Sequence, residues 1–375
     1  MKKYLMMVTL LTSCGTFAGI AEDYQRLKND ITKHTGLTFG VDISEVMQRV
    51  SPRGKKTAWQ TQYYPYATWD LFKSDTLGTG TLNFAYTATR YWGTNANNLG
   101  NRIGVVSSIN DYPAYENNFD ELSYTHTFAG AWAPISLTVG QFPIYNFDGT
   151  NYDANQQVNF LNFALSQNAS DAYPTAGVGA YVTITPNDIF NLSVGFQDAH
   201  NIDGTMIKTS RLGKKKYTTF ASMSLTPTLK NIGQSTYSVL VYNQPSVPAQ
   251  PMNTNGWSFN IQQNVGKKWA FFCRANGASH TPEEISQSYV IGGVYNNPLN
   301  RNSLDQIGLA YALNKINQPV VGPSRKFENV VESYWAWGIG SMMTITPDFQ
   351  VFLNPATNPD RHTGFAVSLR ATVSL

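Results

Sequence analysis

Residues 363–375 read Thr-Gly-Phe-Ala-Val-Ser-Leu-Arg-Ala-Thr-Val-Ser-Leu, and their large apolar side chains all fall on one parity. Phe365, Val367, Leu369, Val373 and Leu375 share a face; Ser368, Arg370, Thr372 and Ser374 share the other. Successive side chains of a strand point to opposite faces, so this strand has one oily side and one wet side. Turning it round would set Arg370 against hydrocarbon, at about 2–4 kcal/mol near a bilayer midplane. A soluble sandwich strand alternates too. Here, however, the apolar face recurs along most of the chain, with no second, continuously apolar layer to pack against it. The pattern reads as oil outside and water inside, which in a membrane requires a closed barrel.

The same parity runs through earlier segments. Phe190, Leu192, Val194 and Phe196 oppose Asn191, Ser193, Gly195 and Gln197, and Trp257, Phe259 and Ile261 oppose Ser258, Asn260 and Gln262. Ile307, Leu309, Tyr311 and Leu313 oppose Gln306, Gly308, Ala310 and Ala312, and Val331, Trp335, Trp337 and Ile339 oppose Glu332, Tyr334, Ala336 and Gly338. Counting back from the C-terminus predicts strands near 363–375, 348–354, 328–345, 304–314, 287–296, 267–276, 256–265, 235–244, 216–226, 188–198, 175–185, 134–144, 120–130, 79–92, 58–72 and 37–48. The fold class is therefore all-β: a transmembrane antiparallel up-and-down β-barrel of about sixteen strands, an even number as single-chain bacterial barrels require. Small inward residues predict a hollow bore.

Tight turns are expected at Thr185-Pro186-Asn187-Asp188, Val265-Gly266-Lys267-Lys268 and Thr346-Pro347-Asp348, and long loops at 199–215, 245–255, 277–286, 315–327 and 355–362. Strict alternation of short and long connections places the turns in the periplasm and the loops outside. The loop 145–174 needs a reason for its length. Phe160, Leu161, Phe163 and Leu165 give it an apolar stripe beside Asn151, Asp153, Asn155, Gln156 and Gln157, so it is expected to fold inward and narrow the pore, the alternative being an extracellular flap with its own packing.

Two strands fit poorly. His126 shares a face with Leu122, Tyr124 and Phe128, and Arg90 shares one with Leu82, Phe84 and Trp92, where it could snorkel to the outer interface.

Lys2 and Lys3, an apolar run from Leu5 to Leu11, and small residues up to Ala18 or Ala21 have the layout of a secretory signal peptide, assigned to residues 1–21. Leu11-Thr12-Ser13-Cys14 also fits a lipoprotein box, which leaves lipidation of Cys14 open. Cleavage after Ala18 or Ala21 would leave Cys273 alone, sharing parity with Trp269 and Phe271 on the apolar face. Tyr24, Leu27 and Ile31 then recur at helical spacing, giving a short periplasmic helix over 22–36 before a barrel over 37–375. No segment beyond the signal has the apolar length of a spanning helix.

Charged residues make up 14% of the 375 positions, aromatics 13%, and the net charge is +3, a profile suited to membrane girdles. The basic residues are scattered, so no nucleic-acid partner is expected. The inward set includes Arg274, Glu328, Glu332, Tyr334, Gln350 and Arg370, with Asp42 or Glu45 depending on the register of the first strand. Arginine forks and carboxylates bond hydroxyls, and a tyrosine ring covers the C–H face of a sugar. The alternative is an ordinary wall of mutually neutralised charges.

The last third resembles the carbohydrate-selective porin family, the OprB family. The resemblance rests on Gly293-Val294-Tyr295, Asn300-Arg301 and Asp305 to Tyr311, then on Glu328, Glu332 and Tyr334, Thr346 to Gln350, and Asn354-Pro355. Arg26-Leu27, Gly36-Leu37, Leu77 to Gly80 and Val139 to Phe142 are similar to its N-terminal landmarks. It implies a sixteen-stranded channel of the bacterial outer membrane that passes sugars by diffusion, and singles out Arg274, Arg301, Glu332 and Arg370, with Asp305 in the motif around Arg301. The chain departs from the pattern in ending on Leu375 and in carrying few lumen carboxylates.

The expected partners are outer-membrane lipid and small sugars or other hydrophilic solutes, and a homotrimer is one assembly the sequence allows. A general or weakly ion-selective porin and an adhesin or receptor barrel are the alternatives. No enzyme is expected, because His34, His126, His200, His280 and His362 stand in no nucleophile–base spacing, and Ser279 next to His280 would point away from it. No cofactor is implied. Asp and Asn runs over 148–155 lack the spacing of a calcium loop and suit turn caps, so no metal is expected.

Overall fold

The structure, a computed structural model, describes residues 14–52 and 56–375. Residues 1–13 of the expected export signal, including the Leu11-Thr12-Ser13 part of the lipidation box, lie outside the described residues. Helix α1 spans Cys14–Thr35, across the boundary expected at residue 21. Gly36, at φ +72°, turns the chain from this helix into the first strand, and Thr32 Oγ1 donates to Leu37 O at 2.9 Å across the joint.

Among the described residues, sixteen long strands follow in chain order: β1 Leu37–Ser51, β2 Ala58–Ser74, β3 Gly78–Tyr91, β4 Glu116–Thr127, β5 Ile135–Phe142, β6 Gly177–Asn187, β7 Phe190–Asp198, β8 Tyr217–Leu225, β9 Gly233–Gln244, β10 Thr254–Val265, β11 Trp269–Ser279, β12 Ile285–Asn296, β13 Gln306–Ile316, β14 Phe327–Ile339, β15 Met343–Leu353 and β16 Thr363–Ser374. A further two-residue segment, Thr228–Leu229, only lengthens the β8–β9 turn by pairing with Gly233 and Gln234. Each strand runs antiparallel to the one before. β1 also pairs with β16, from Asp42 opposite Ser374 to Ser51 opposite Phe365, which closes the sheet. Closure removes the unpaired edges that hydrocarbon could not satisfy.

Parity sorts the side chains as the sequence predicts. Phe196, Trp257, Phe259, Leu309, Trp335, Trp337 and Val367 are exposed on the outer wall, whereas Ser193, Gln197, Ser258, Asn260, Gln262, Ala310, Ala312, Glu332 and Arg370 are buried inside. His126 faces outward within an aromatic group: its Nδ1 lies 3.1 Å from Tyr124 Oη, and Phe128 meets it edge-on at 4.8 Å. Arg90 reaches along the wall to the outer start of β4. Its guanidinium donates to Thr89 O, Glu116 O and Asn117 Oδ1 at 2.7–3.1 Å and lies over the Tyr115 ring.

Three details correct the sequence reading. Thr346-Pro347-Asp348 is strand, not turn, with Pro347 opposite Leu369 and Asp348 opposite Ser368. On its other side the β14 ladder skips between the Tyr334–Asp348 and Trp337–Ile345 pairs, so the proline's missing N–H costs nothing there. The true turn lies at Gly340, φ +61°, which divides the expected 328–345 strand between β14 and β15. Nor is the alternation of short and long connections strict: the turn between β12 and β13 covers residues 297–305, because Arg301 and Asp305 pair and fold it under β14.

The bore is not hollow at mid-height. Two long connections enter it: L2, residues 92–115 between β3 and β4, and L3, residues 143–176 between β5 and β6. L2 carries helix α2, Ala96–Ile103, capped by Asn95, whose side chain accepts from Asn98 N, and ended by Gly104 at φ +80°. Its buried face of Ala96, Leu99 and Ile103 joins Ile109, Phe160, Ala164 and Leu165 in one apolar cluster with the inner-wall residues Val290, Val294, Ala310, Ala312, Val330 and Phe352. The small inward alanines do leave room, as expected. Loop side chains occupy it, because an apolar inner wall facing water would forgo about 25 cal/mol per Å² of buried surface.

Candidate functional site: a loop-lined constriction

A chain segment folded into a barrel must find partners for its backbone N–H and C=O groups. Carboxylates on the wall supply acceptors. Glu328 takes Val106 N at 3.0 Å and Ser107 N at 2.7 Å from L2, and Ala356 N at 2.9 Å from the loop before β16. Glu332, four residues further along β14 on the same face, takes Leu161 N at 2.5 Å and Asn162 N at 2.9 Å from L3.

Guanidinium groups supply donors. Arg370 donates to Gln156 O, to Asn159 O at 2.7 Å and to Val158 O at 2.8 Å, and Thr372 beside it donates to Gln157 O at 2.7 Å. Arg274 donates to Asp153 O at 2.9 Å and Ala164 O at 3.1 Å, with Asp153 Oδ2 at 3.7 Å. Gln350 donates to Ile109 O at 3.0 Å. Tyr334 packs edge-on against Phe160 at 4.9 Å and bonds Asn159 and Gln306, so its ring is covered by L3.

All six inward residues named from sequence thus face the interior and are buried. What the structure adds is that all but Tyr334 grip loop backbone, along the middle of L3 between residues 153 and 164 and in one stretch of L2 between residues 106 and 109. Asp42 is the inward member of the first strand; Glu45 faces outward and accepts from Trp59 Nε1 and Thr61 Oγ1 at 2.5 and 2.6 Å. Arg301 and Asp305 are not brought to this place. They form a clamp at the periplasmic end, where Asp305 also accepts Gly338 N at 2.8 Å and the Arg301 guanidinium lies 3.9 Å over the Trp337 ring.

Beside the riveted loops a cavity of about 130 Å³ remains, bounded by Gln62 and Tyr64 of β2, Asp111 and Tyr112 of L2, Tyr145, Asp148, Asp153, Gln156, Gln167 and Tyr173 of L3, and Arg274 of β11. Asp148 is held by Asn168 Nδ2 at 2.8 Å and Asn260 Nδ2 at 3.1 Å, and Asp153 caps a turn by accepting from Thr150 N and Oγ1 at 2.5 and 2.7 Å. Asp111 Oδ1 is buried with no hydrogen-bond partner, and Asp153 Oδ2, also without a hydrogen bond, has Arg274 Nη1 at 3.7 Å. Burial pushes the Asp111 carboxyl up to about 7, against the opposing pull of Gln167. The aperture is therefore built from acids, amides and tyrosine rings, and its one arginine is engaged with loop carbonyls.

Sequence reasoning missed Asp111, Tyr112, Tyr145 and Tyr173, because loop residues carry no parity. The available signal was the apolar stripe in L3 and the Asn95-to-Gly104 helix frame in L2, both of which mark a loop that packs.

A closed sixteen-stranded barrel whose long loops are fastened inside it and leave a polar gap is a porin. The carbohydrate-selective porin, OprB family, matches residues 216–375, and the chain belongs to this family. The chain is 38% identical to Porin AaxA of Chlamydia felis over 93% of its own length and 80% of that protein, and 39% identical to Porin AaxA of Chlamydia pneumoniae over 93% and 82%. Its fold is similar to the high-pH structure of Pseudomonas putida OprB, with a TM-score of 0.77 at 15% identity over 94% of this chain and 97% of that one. An anion-selective porin from Comamonas acidovorans gives a TM-score of 0.55 at 10% identity over 90% and 99%. The chain is thus a β-barrel of the bacterial outer membrane.

Proposed function

We propose that the barrel passes small hydrophilic solutes passively down their gradients, admitting sugars readily and disfavouring anions. The carrying observation is the lining of the constriction: tyrosines beside carboxylates and carboxamides, with Arg274 already bound to the carbonyls of Asp153 and Ala164. Tyrosine rings lie flat against the C–H face of a sugar, and amides and carboxylates bond its hydroxyls in passing. Passage needs binding weak enough for exit to stay fast.

A second reading, weak ion selectivity, is supported by Asp111, whose unpartnered oxygen would add negative charge at the gap once ionised. Both readings are tested together in liposomes loaded with the full chain. Hexoses should enter faster than hexose phosphates of similar size, and lowering the salt should widen the difference, as screening falls. Equal rates for hexoses and hexose phosphates would reduce the function to size filtering.

A further inference from the structure

The outer wall of β6 to β9 is not uniformly filled. Ala180, Thr219 and Ala221 give a low floor between Phe196, Val194 and Val241, and the resulting groove encloses about 740 Å³ with an almost wholly apolar lining. Directly above its β8 floor the chain enters the extracellular loop of residues 199–216. This loop carries a short helical turn, Thr209–Lys214, just before β8. Tyr217 Oη donates to Leu212 O at 2.8 Å, and the Tyr217 ring meets Phe196 edge-on at 5.2 Å. Arg211 donates to His200 O and Asn201 Oδ1 at 2.8 and 2.9 Å.

These anchors present Lys214, Lys215 and Lys216 at the surface, with Lys215 at φ +54° where the turn meets β8. Among the described residues none of the three is in a salt bridge, and the nearby Asp198 is paired with His200 at 3.0 Å. Strand rise is about 3.4 Å per residue, so Lys216 stands about 10–17 Å along β8 from Thr219 and Ala221, or about 7–13 Å above them for a strand tilted by about 40°. That is the separation between the upper acyl region and the headgroups of a leaflet.

We infer that this groove and lysine triplet form one docking site for a phosphate-bearing lipid of the outer leaflet, its acyl chain lying over Ala180 and Ala221 and its phosphate between the lysines. Charge complementarity selects the occupant: an apolar slot under unpaired ammonium groups suits an anionic amphiphile and no other component of a membrane equally well. The site is separate from the permeation path and stands whether or not the sugar reading holds.

The test is native mass spectrometry of the purified full chain in micelles doped with equal amounts of dioleoyl phosphatidate and dioleoylglycerol. Wild type should retain phosphatidate preferentially. Each lysine removed should lower that preference by about fivefold, as a basic residue near an anionic surface would, so the K214Q/K215Q/K216Q triple variant should show almost none. A221F, which fills the groove floor, should lower retention of both lipids while the triplet is intact, and heat-modified gel mobility verifies that each variant is folded. Retention indifferent to the lysines, or indifferent to A221F, overturns the site, as does displacement of the lipid by millimolar inorganic phosphate.

Discussion

Replacing Arg370 by alanine isolates the strongest fastening of L3. The guanidinium holds three loop carbonyls, those of Gln156, Val158 and Asn159, and is fully buried among Glu332 and Asp348. Hydrogen bonds from a charged donor contribute about 1.5–3 kcal/mol each. Removing one partner of a buried charge cluster costs about 3–5 kcal/mol, because what remains is uncompensated. Water entering the bore re-solvates part of this, so we take about 3 kcal/mol as the net loss, which raises the open population of the loop more than 100-fold at about 1.4 kcal/mol per decade. The barrel keeps every ladder bond, so the loss is local. Hydrogen exchange on detergent-solubilised protein should show the amides of Leu161 and Asn162 exchanging about 100-fold faster, with those of β14 unchanged, since exchange reports local opening. Single-channel recordings should show larger, noisier conductance. R370K keeps the charge without the fork and should fall between. Unchanged exchange at Leu161 and Asn162 in R370A would refute the idea that this residue fastens the loop.

Three other outcomes follow from the same geometry. E328A leaves the buried amides of Val106, Ser107 and Ala356 without an acceptor, so L2 should loosen and sugar influx into liposomes should rise, with little change in the heat needed to unfold the barrel. Because burial lifts the Asp111 carboxyl to about 7, its charge is absent well below that pH and present above it; the potassium-to-chloride permeability ratio should climb between pH 6 and 8, and D111N should flatten the curve. R301A opens the periplasmic clamp by removing its bonds to Asp305 and Gly338 O and the stacking on Trp337, which should lower unfolding stability by about 1–2 kcal/mol in urea titrations and leave conductance alone.

Much of this was legible in the chain because a membrane barrel enforces one rule at every strand residue. Parity alone places Arg370, Glu332 and Gln350 inward, since the alternative puts a charge or amide in lipid. The rule fails where the solvent argument lapses. Pro347 and Asp348 looked like a turn by composition, yet a skipped ladder position accommodates the proline, and Gly340 takes the turn instead. His126 defied parity only until neighbouring aromatic rings gave it an outer-wall setting. The inner wall misled more deeply. Ala310, Ala312 and Ala336 read as clearance for water, but they are clearance for Phe160, Leu165 and the face of α2. Which wall residues meet solute depends on where L2 and L3 settle, and that follows from contacts more than two hundred residues apart, such as Ser107 with Glu328 and Asn159 with Arg370.

The reversal potential of the reconstituted full chain under a potassium chloride gradient bears most directly on the claim that fastened loops leave an acid-lined gap. A steady ohmic current with a cation-selective potential at pH 8 is the predicted result. An anion-selective potential, or a membrane that stays silent with folded protein inserted, would contradict it.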